Sequence, residues 1–403
     1  MTSTTEADIS DRVWDAVTRH VEAGELPGAA WWVTDGTETG TGYAGVHNPD
    51  GPPIGEDTIF RISSMSKPVV AVAAMTLVDE GTLELDADVD DLLPELADRR
   101  VLVDPIGPLT DTVPAVRPIT VRDVLEFRLG MGLDFTGPWE NPLATAMSKA
   151  GLPAGPPAPQ SAPEPDEWLR LVGMFPLSRQ PGEQWLYHTG ASVLGVLIAR
   201  VSGTELPEFL GDRIFKPLGM SSTGFWVPSE LRHRFGPHWA PGENGPQQYD
   251  GVNGQWSTRP AFPDGGDGLV STTADLAALT QMLRAGGTFN GKRILSEDAV
   301  RAMTTVHVPV IDGEGGGWGL GVGVRNEDEH RGDADAVRRH AGSYGWDGGL
   351  GSSWWTDPVS GVSAILLTNQ MWTSPEPSPV FQDFWDAAFF TAKTGSATSP
   401  ANG

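Results

Sequence analysis

Strand-like segments lie near both ends of this chain, and helical patterns fill most of the sequence between them. Residues 29–33 and 39–46 have the pattern of a hairpin, and residues 351–356 and 362–368 also read as strands. A sheet that takes strands from both ends of a chain requires the residues between them to leave the sheet and return. The sequence therefore predicts one sheet with a helical region inserted, which is an α+β organisation.

The predicted elements divide the chain into three parts. Residues 1–81 and 286–393 should form the sheet domain, residues 82–285 a mainly helical domain, and residues 394–403 a disordered tail. Smaller predicted elements are a strand at 320–324, an irregular Pro- and Ala-rich surface loop at 152–167, and helices at 8–23, 69–78, 273–285 and 380–391.

Composition excludes several classes of function. The 403-residue chain has a net charge of −26, so it lacks a basic surface for nucleic acid, and an anionic membrane would repel it. It has no cysteine and its eight histidines are scattered, which argues against a metal hydrolase. Neither a metal nor a cofactor is expected. The acidic start of the chain lacks a secretion signal, and the expected location is therefore cytoplasmic.

A serine and a lysine three residues apart form the first candidate site. Ser64 and Lys67 lie in the run from 58 to 68, and Pro68 is compatible with the first turn of a helix. On a helix, residues three apart share one face, so the hydroxyl and the amine can touch. A nearby amine that takes its proton is one way to make a serine nucleophilic.

Two further segments carry candidate chemistry. Tyr187 follows a Pro–Gly turn and precedes an apolar helix. A phenol held beside an ammonium is pushed towards phenolate and can transfer a proton, although a tyrosine that only packs at a helix start is the alternative. The glycine-rich run 342–351 precedes a strand and lets the backbone approach a ligand, as in an oxyanion hole. A tight hairpin without a ligand is the alternative there.

In this order, the segments resemble the serine β-lactamase and penicillin-binding-protein superfamily. The run 60–68 is similar to the nucleophile motif of its class C β-lactamase-like branch, which includes the family VIII carboxylesterases. Residues 181–187 are similar to the tyrosine motif of this branch, and residues 266–272 to its Gly-Gly-Leu-x-Ser-Thr segment. The resemblance spans about residues 10 to 390. It implies an antiparallel sheet built from both chain ends, flanked by helices, with a mainly helical insert domain.

The resemblance also implies a role for each matching residue. Ser64 would attack a carbonyl carbon and become acylated. Lys67 and Tyr187 would share the roles of general base and general acid. The backbone N–H groups of Ser64 and Gly349 would bind the oxyanion, and the segment Trp346-Asp347-Gly348 would bind substrate.

Departures from the family pattern bear on the substrate. Thr189, after His188, stands where the tyrosine motif of the family usually has Asn, and both residues are expected at the substrate. Trp346 stands where true lactamases have Lys or His, which disfavours anionic β-lactams and favours neutral esters or amides. Trp at this position is familiar in the esterase relatives. Asp347 beside it is unusual, and either occupies a surface turn or favours a substrate amine.

The predicted function is a metal-free serine hydrolase, specifically a carboxylesterase on small neutral esters. An acyltransferase, or an amide or β-lactam hydrolase, would use the same acyl-enzyme. A Ser-His-Asp hydrolase is disfavoured, because the nearest match to a nucleophile elbow, at 341–345, lacks the first glycine. A catalytically inactive binding protein of the same fold is the alternative from a different class. The sequence does not define the acyl group, the acyl acceptor or the oligomeric state.

Overall fold

The main sheet is built from both ends of the chain. The structure is a computed structural model that describes residues 8–48, 51–138, 140–152, 155–242, 245–311, 315–330, 337–372, 374 and 377–389. Within these residues the sheet is antiparallel and has seven strands, in the spatial order β3-β4-β5-β6-β7-β1-β2. The strands are β1 Gly28–Thr34, β2 Thr39–Gly45, β3 Gly316–Trp318, β4 Gly323–Arg325, β5 Tyr344–Gly348, β6 Ser352–Thr356 and β7 Ser363–Thr368. This confirms the predicted α+β, β-lactamase/transpeptidase-like architecture.

Helices cover both faces of the sheet. Most of them lie in the sequence between β2 and β3. The helices are α1 Ile9–Glu22, α2 Ser66–Asp79, α3 Val121–Leu125, α4 Pro142–Lys149, α5 Pro165–Gly173, α6 Thr189–Ser202, α7 Leu206–Leu210, α8 Lys216–Leu218, α9 Thr273–Arg284, α10 Glu297–Met303 and α11 Pro379–Phe389. Short 3₁₀ or π turns occur at Ser63–Met65, Pro94–Leu96, Gly211–Phe215 and Ser229–Arg234. None of the helices that the structure describes is long and apolar enough to cross a membrane.

Small strand pairs connect loops outside the main sheet. They are Phe60–Arg61 with Val270–Ser271, Arg100–Leu102 with Thr112–Pro114, His238–Ala240 with Gln247–Asp250, Thr288–Phe289 with Lys292–Arg293, and Glu329–His330 with Val337–Arg339. The first of these pairs brings the segment before Ser64 next to the segment that follows Gly268. This pairing matters for the site because the two segments are about 200 residues apart in the sequence.

Side chains alternate between the two faces of the sheet, as a strand requires. Trp31 packs with α1 and α11 on the outer face, whereas Trp32 packs with α2, α6 and α9 on the inner face. Helix α2 is buried along nearly its whole length, because it lies in the middle of the inner layer. The inner core joins residues from both predicted domains, and the division at 81/82 and 285/286 stays a prediction. The predicted tail, 394–403, lies outside the described residues.

Two predicted elements need correction. A hairpin, β3 and β4, replaces the predicted strand at 320–324, because Gly321 takes φ +77° and the Gly319 N–H donates to the Val322 carbonyl oxygen at 2.8 Å. The predicted loop at 152–167 ends early, since α5 begins at Pro165. Proline suits the first helical position, and the acidic residues that follow it favour a helix N-terminus.

Candidate active site

Ser64 and Lys67 are in direct contact. Ser64 lies in the 3₁₀ turn that leads into α2, and Lys67 lies in the first turn of that helix. The Lys67 Nζ donates hydrogen bonds to Ser64 Oγ at 2.9 Å and to the Gly266 carbonyl oxygen at 2.7 Å. Lys67 is only 1% exposed, whereas Ser64 is half-buried. The spacing of three residues thus places a buried amine behind a more accessible hydroxyl.

The turn that carries Ser64 is fixed on several sides. Ser66 Oγ donates to the Ser63 carbonyl oxygen at 2.6 Å and accepts from the Leu269 N–H at 3.0 Å. Ser63 has φ +46°, a conformation that costs energy for a residue with a side chain. Before the turn, the buried Arg61 guanidinium forms an ion pair with the buried Asp250 carboxylate at 2.5 Å. The backbone conformation at Ser64 is therefore set by contacts with distant segments.

Tyr187 lies beside Lys67, but its hydroxyl faces Trp346. The Lys67 Nζ is 4.5 Å from the centre of the Tyr187 ring, within the range of a cation–π contact. The Trp346 Nε1–H donates to Tyr187 Oη at 2.8 Å. Phe127 and Trp185 pack around the Tyr187 ring and hold it in place.

The end of β5 lies against the turn that carries Ser64. A Cβ atom at Gly348 would come within 2.4 Å of the Ile62 carbonyl oxygen, so only glycine fits there. A Cβ atom at Gly349 would point into open space. Across the described part of the chain, neither the Ser64 N–H nor the Gly349 N–H has a hydrogen-bond acceptor. Gly349 directly follows the residue that contacts Ile62, two positions before Ser64.

His188 and Thr189 lie on the other side of Lys67. His188 has φ +82° and ψ −62°, and the Thr189 N–H donates to the Tyr187 carbonyl oxygen at 3.2 Å, which makes a γ-turn. His188 Nδ1 is 3.4 Å from Lys67 Nζ. Burial, together with the Lys67 charge, lowers the pKa of His188 to about 4, so its imidazole is neutral near pH 7. Thr189 is buried and lines the adjacent cavity.

The structure does not bring Asp347 to this group. It follows Trp346 in β5 and therefore points to the opposite face of the sheet. Its Oδ1 accepts a hydrogen bond from Trp355 Nε1 at 3.0 Å, and Trp355 belongs to the outer core. Burial raises the pKa of Asp347 to about 6, although the nearby Arg339 opposes this shift. The contacts of Asp347 thus belong to the outer layer, and the predicted contact with substrate is not seen.

Two carboxylates that the sequence analysis missed lie beside Lys67. One ligand atom from each of Asp264, Asp267 and His188 lies within 4.8 Å of the others. Burial raises the pKa of Asp267 to about 8, the Asp264 charge adds to this shift, and the Lys67 charge opposes it. The only local signal was the spacing Asp-Gly-Gly-Asp, which overlaps the Gly-Gly-Leu-x-Ser-Thr-like segment. Their position relative to Lys67 depends on the fold.

A cavity of about 260 Å³ opens next to this acidic group. Its polar wall includes His188, Thr189, Asp264 and Asp267. Its apolar walls include Leu143, Met147, Leu152, Trp168, Phe262 and several residues of the predicted Pro-rich loop between 155 and 162. The loop is therefore part of the boundary of this cavity and does more than connect two elements.

Comparison with known proteins supports this description of the fold. The family model described as Beta-lactamase matches residues 14–380. The chain is similar to Esterase EstB of Burkholderia gladioli, with 30% identity over 79% of each chain. It is 36% identical to Protein Rv1367c of Mycobacterium tuberculosis over 63% of this chain, and the match spans 61% of that protein.

The solved structure of EstCE1, a hydrolase with promiscuous acyltransferase activity, superimposes with a TM-score of 0.77. Its identity to this chain is 24%, over 94% of this chain and 98% of the other. The family match covers most of the residues that form the sheet, the inner helices and the group around Lys67. The chain therefore belongs to the beta-lactamase family.

Proposed function

We propose that this protein is a carboxylesterase that forms an acyl-enzyme on Ser64. The observation that carries the proposal is the hydrogen bond of 2.9 Å between the buried Lys67 amine and the Ser64 hydroxyl. Supporting it, Tyr187 lies beside the same amine, and the N–H groups of Ser64 and Gly349 lack acceptors within the described residues. These are the groups needed for acyl transfer to a serine.

In the proposed reaction, Ser64 Oγ attacks the ester carbonyl carbon and its proton passes to the Lys67–Tyr187 pair. The N–H groups of Ser64 and Gly349 donate to the oxyanion of the tetrahedral intermediate. The intermediate collapses, the C–O bond to the alcohol breaks, and the same pair returns the proton to the leaving alcohol. Water then attacks the acyl-enzyme in the reverse sequence and releases the acid.

The site favours substrates without negative charge. Trp346 presents an indole where a cation would be needed to bind the carboxylate of a β-lactam, and its N–H is already used by Tyr187. His188, being neutral, does not supply that cation. The Asp264 carboxylate, which lies in the group beside Lys67, further disfavours an anion. We therefore expect turnover of small uncharged esters and weak or no turnover of nitrocefin, a chromogenic β-lactam.

The apolar cavity also favours acyl transfer as a second candidate function. An acceptor alcohol held against the apolar walls would compete with water for the acyl-enzyme. The discriminating measurement is the product ratio of acid to new ester when an alcohol is added to the assay. A new ester that exceeds what the alcohol concentration alone predicts would favour the transferase, and acid alone would favour the esterase.

Trapping of the acyl-enzyme tests the proposal directly. The protein is incubated with a p-nitrophenyl ester of a short acid, and intact mass and peptide mapping are recorded. We expect an adduct of the acyl mass on Ser64, no adduct and no turnover in Ser64→Ala, and wild-type behaviour in Ser229→Ala, which changes an exposed serine. An adduct unchanged in Ser64→Ala would refute the nucleophile assignment. Absence of any adduct or turnover would favour a binding protein.

A further inference from the structure

The carboxylates of Asp264 and Asp267 lack cationic partners. Neither forms an ion pair within 4.0 Å with any residue that the structure describes. Within the described part of the chain, Asp264 Oδ1 accepts only from the Gly266 N–H, at 2.7 Å. Lys67 is the nearby cation, but its Nζ already contacts Ser64, His188 and the Gly266 carbonyl oxygen. Both side chains are half-buried in the wall of the cavity, and a partly desolvated carboxylate without a cationic partner is informative.

A buried hydroxyl points at the same place. Ser192 is fully buried, and its Oγ has no hydrogen-bond partner among the described residues. A Cβ atom built on Gly266 would lie 3.1 Å from Ser192 Oγ, 3.1 Å from Asp264 Oδ1 and 3.1 Å from His188 Cε1. These side chains thus converge on one point, and Ser192 also lines the cavity. A buried hydroxyl without a partner, next to this acidic group, indicates a place for a ligand that hydrogen-bonds to both.

The remainder of the cavity is apolar or internally paired. Trp168 and Phe262 are in aromatic contact, with ring centres 5.0 Å apart, and form part of one wall. Arg179, a cation in the lining, faces Asp134 at 3.7 Å and donates to Gln184 at 2.6 Å. The charge of Arg179 is therefore already partnered, and the acidic end of the cavity adjoins Lys67. A ligand that fills the cavity should be apolar along its length and positively charged at one end.

We propose that Asp264, Asp267 and Ser192 bind the ammonium group of an ester substrate whose apolar chain occupies the cavity while Ser64 attacks its carbonyl carbon. This inference rests on the proposed esterase function and specifies its substrate class. An ammonium has three N–H donors, which match two carboxylates and one hydroxyl oxygen. A divalent cation fits less well, because it would sit close to the Lys67 ammonium with twice the charge and with few oxygen ligands.

A pair of esters of equal size tests the proposal. p-Nitrophenyl 6-aminohexanoate carries an ammonium where p-nitrophenyl heptanoate carries a methyl group. We expect kcat/KM of the wild-type protein to be at least about tenfold higher for the amino ester, in line with about 1.4 kcal/mol of ion-pair binding. In the double variant Asp264→Asn/Asp267→Asn the ratio should fall to about one. The new amide at position 264 would keep an oxygen for the Gly266 N–H. Asp298→Asn, which changes an exposed carboxylate, should keep the wild-type ratio.

Binding to the wild-type protein gives a second measurement that does not depend on turnover. Hexylammonium should bind in calorimetry more tightly than hexanol, and the double variant should lose this difference. A wild-type ratio near one, or a preference that survives in the double variant, would overturn the inference while Ser64-dependent hydrolysis of the neutral ester left the esterase proposal intact. A preference that appears only with added Zn²⁺ or Mn²⁺ and vanishes with EDTA would assign the site to a metal and also overturn it.

Discussion

The two regions on either side of Lys67 differ in whether their polar side chains have partners. On the side of Ser64 and Tyr187, the polar side chains are paired: Lys67 donates to Ser64, and Trp346 donates to Tyr187. On the side of Asp264 and Asp267, the carboxylates lack a cation among the described residues, and the neighbouring Ser192 hydroxyl lacks any partner there.

This difference matches two different tasks, which are proton transfer and substrate recognition. Groups that transfer protons must be held at hydrogen-bond distance from one another before substrate arrives. Groups that recognise a substrate must be unsatisfied until it arrives, and the fold bears the cost of their burial. Loss of a group on the first side should therefore reduce turnover. Loss of a group on the second side should change selectivity and should spare or increase stability.

Among the substitutions on the side of Ser64 and Tyr187, removing the Tyr187 hydroxyl should reduce turnover most. Tyr187→Phe keeps the ring above Lys67 but removes the group that accepts from Trp346. We expect kcat on a p-nitrophenyl ester to fall at least about a hundredfold, as for loss of a proton-transfer group. Tyr43→Phe, on an exposed ring, is the matched control. Wild-type kcat in Tyr187→Phe would show that the hydroxyl is only structural.

Two fully buried serines allow the two sides to be compared by stability. Ser66 Oγ makes two hydrogen bonds, whereas Ser192 Oγ makes none within the described residues. Ser66→Ala leaves the buried Leu269 N–H without its acceptor and should destabilise the protein by about 1–3 kcal/mol. Ser192→Ala should be neutral or slightly stabilising. Denaturant unfolding measures both, and an equal loss in the two variants would mean that the Ser192 hydroxyl has a partner.

The Trp346 indole tests how the first side depends on a single donor. Trp346→Phe keeps an aromatic ring but removes the N–H that Tyr187 Oη accepts at 2.8 Å. We expect kcat to fall about tenfold, which corresponds to one hydrogen bond of about 1.4 kcal/mol. Trp354→Phe is a matched control, because Trp354 Nε1 is buried and has no partner among the described residues. Similar losses in both variants would point to packing as the cause.

The pH dependence of stability tests the second side. Burial and the neighbouring Asp264 raise the pKa of Asp267 from 3.8 to about 8, with Lys67 opposing and His188 neutral above about pH 4. Because the folded state favours neutral Asp267, its contribution to stability is present below about pH 4 and is lost as the pH rises through 8.

Asp267→Asn should therefore raise Tm relative to the wild type. The corresponding gain in the free energy of unfolding should grow between pH 5 and pH 9 to at least about 1 kcal/mol. Thermal unfolding in buffers of matched ionic strength measures it. Asp298→Asn, on an exposed ion pair, should show no such growth. A difference that is the same at both pH values would mean that Asp267 is not desolvated.

The sequence was sufficient for the parts of the site that local rules determine. The contact between Ser64 and Lys67 follows from helix geometry, because residues three apart share one face. The alternation of strand side chains could also have excluded Asp347 from a site that contains Trp346, because consecutive residues face opposite sides of a sheet. That inference was available from the sequence and was missed.

Other contacts depend on packing between distant segments. Lys67 and Gly266 are 199 residues apart, and no local pattern predicts that the carbonyl oxygen of one accepts from the amine of the other. The position of Asp264 and Asp267 next to the Ser64–Lys67 segment likewise depends on the strand pair of Phe60–Arg61 with Val270–Ser271. The sequence shows that Asp264 and Asp267 are acidic residues. It does not show that they lack a cationic partner among the residues that the structure describes.

The contrast between Gly348 and Gly349 has a practical consequence for altering this protein. A side chain at 348 would collide with the Ile62 carbonyl oxygen, whereas one at 349 would extend into open space from a backbone without positive φ. The proposed role of Gly349 uses only its backbone N–H. Position 349 is therefore a place where laboratory evolution could reshape the entrance for new esters while the reactive centre keeps its geometry.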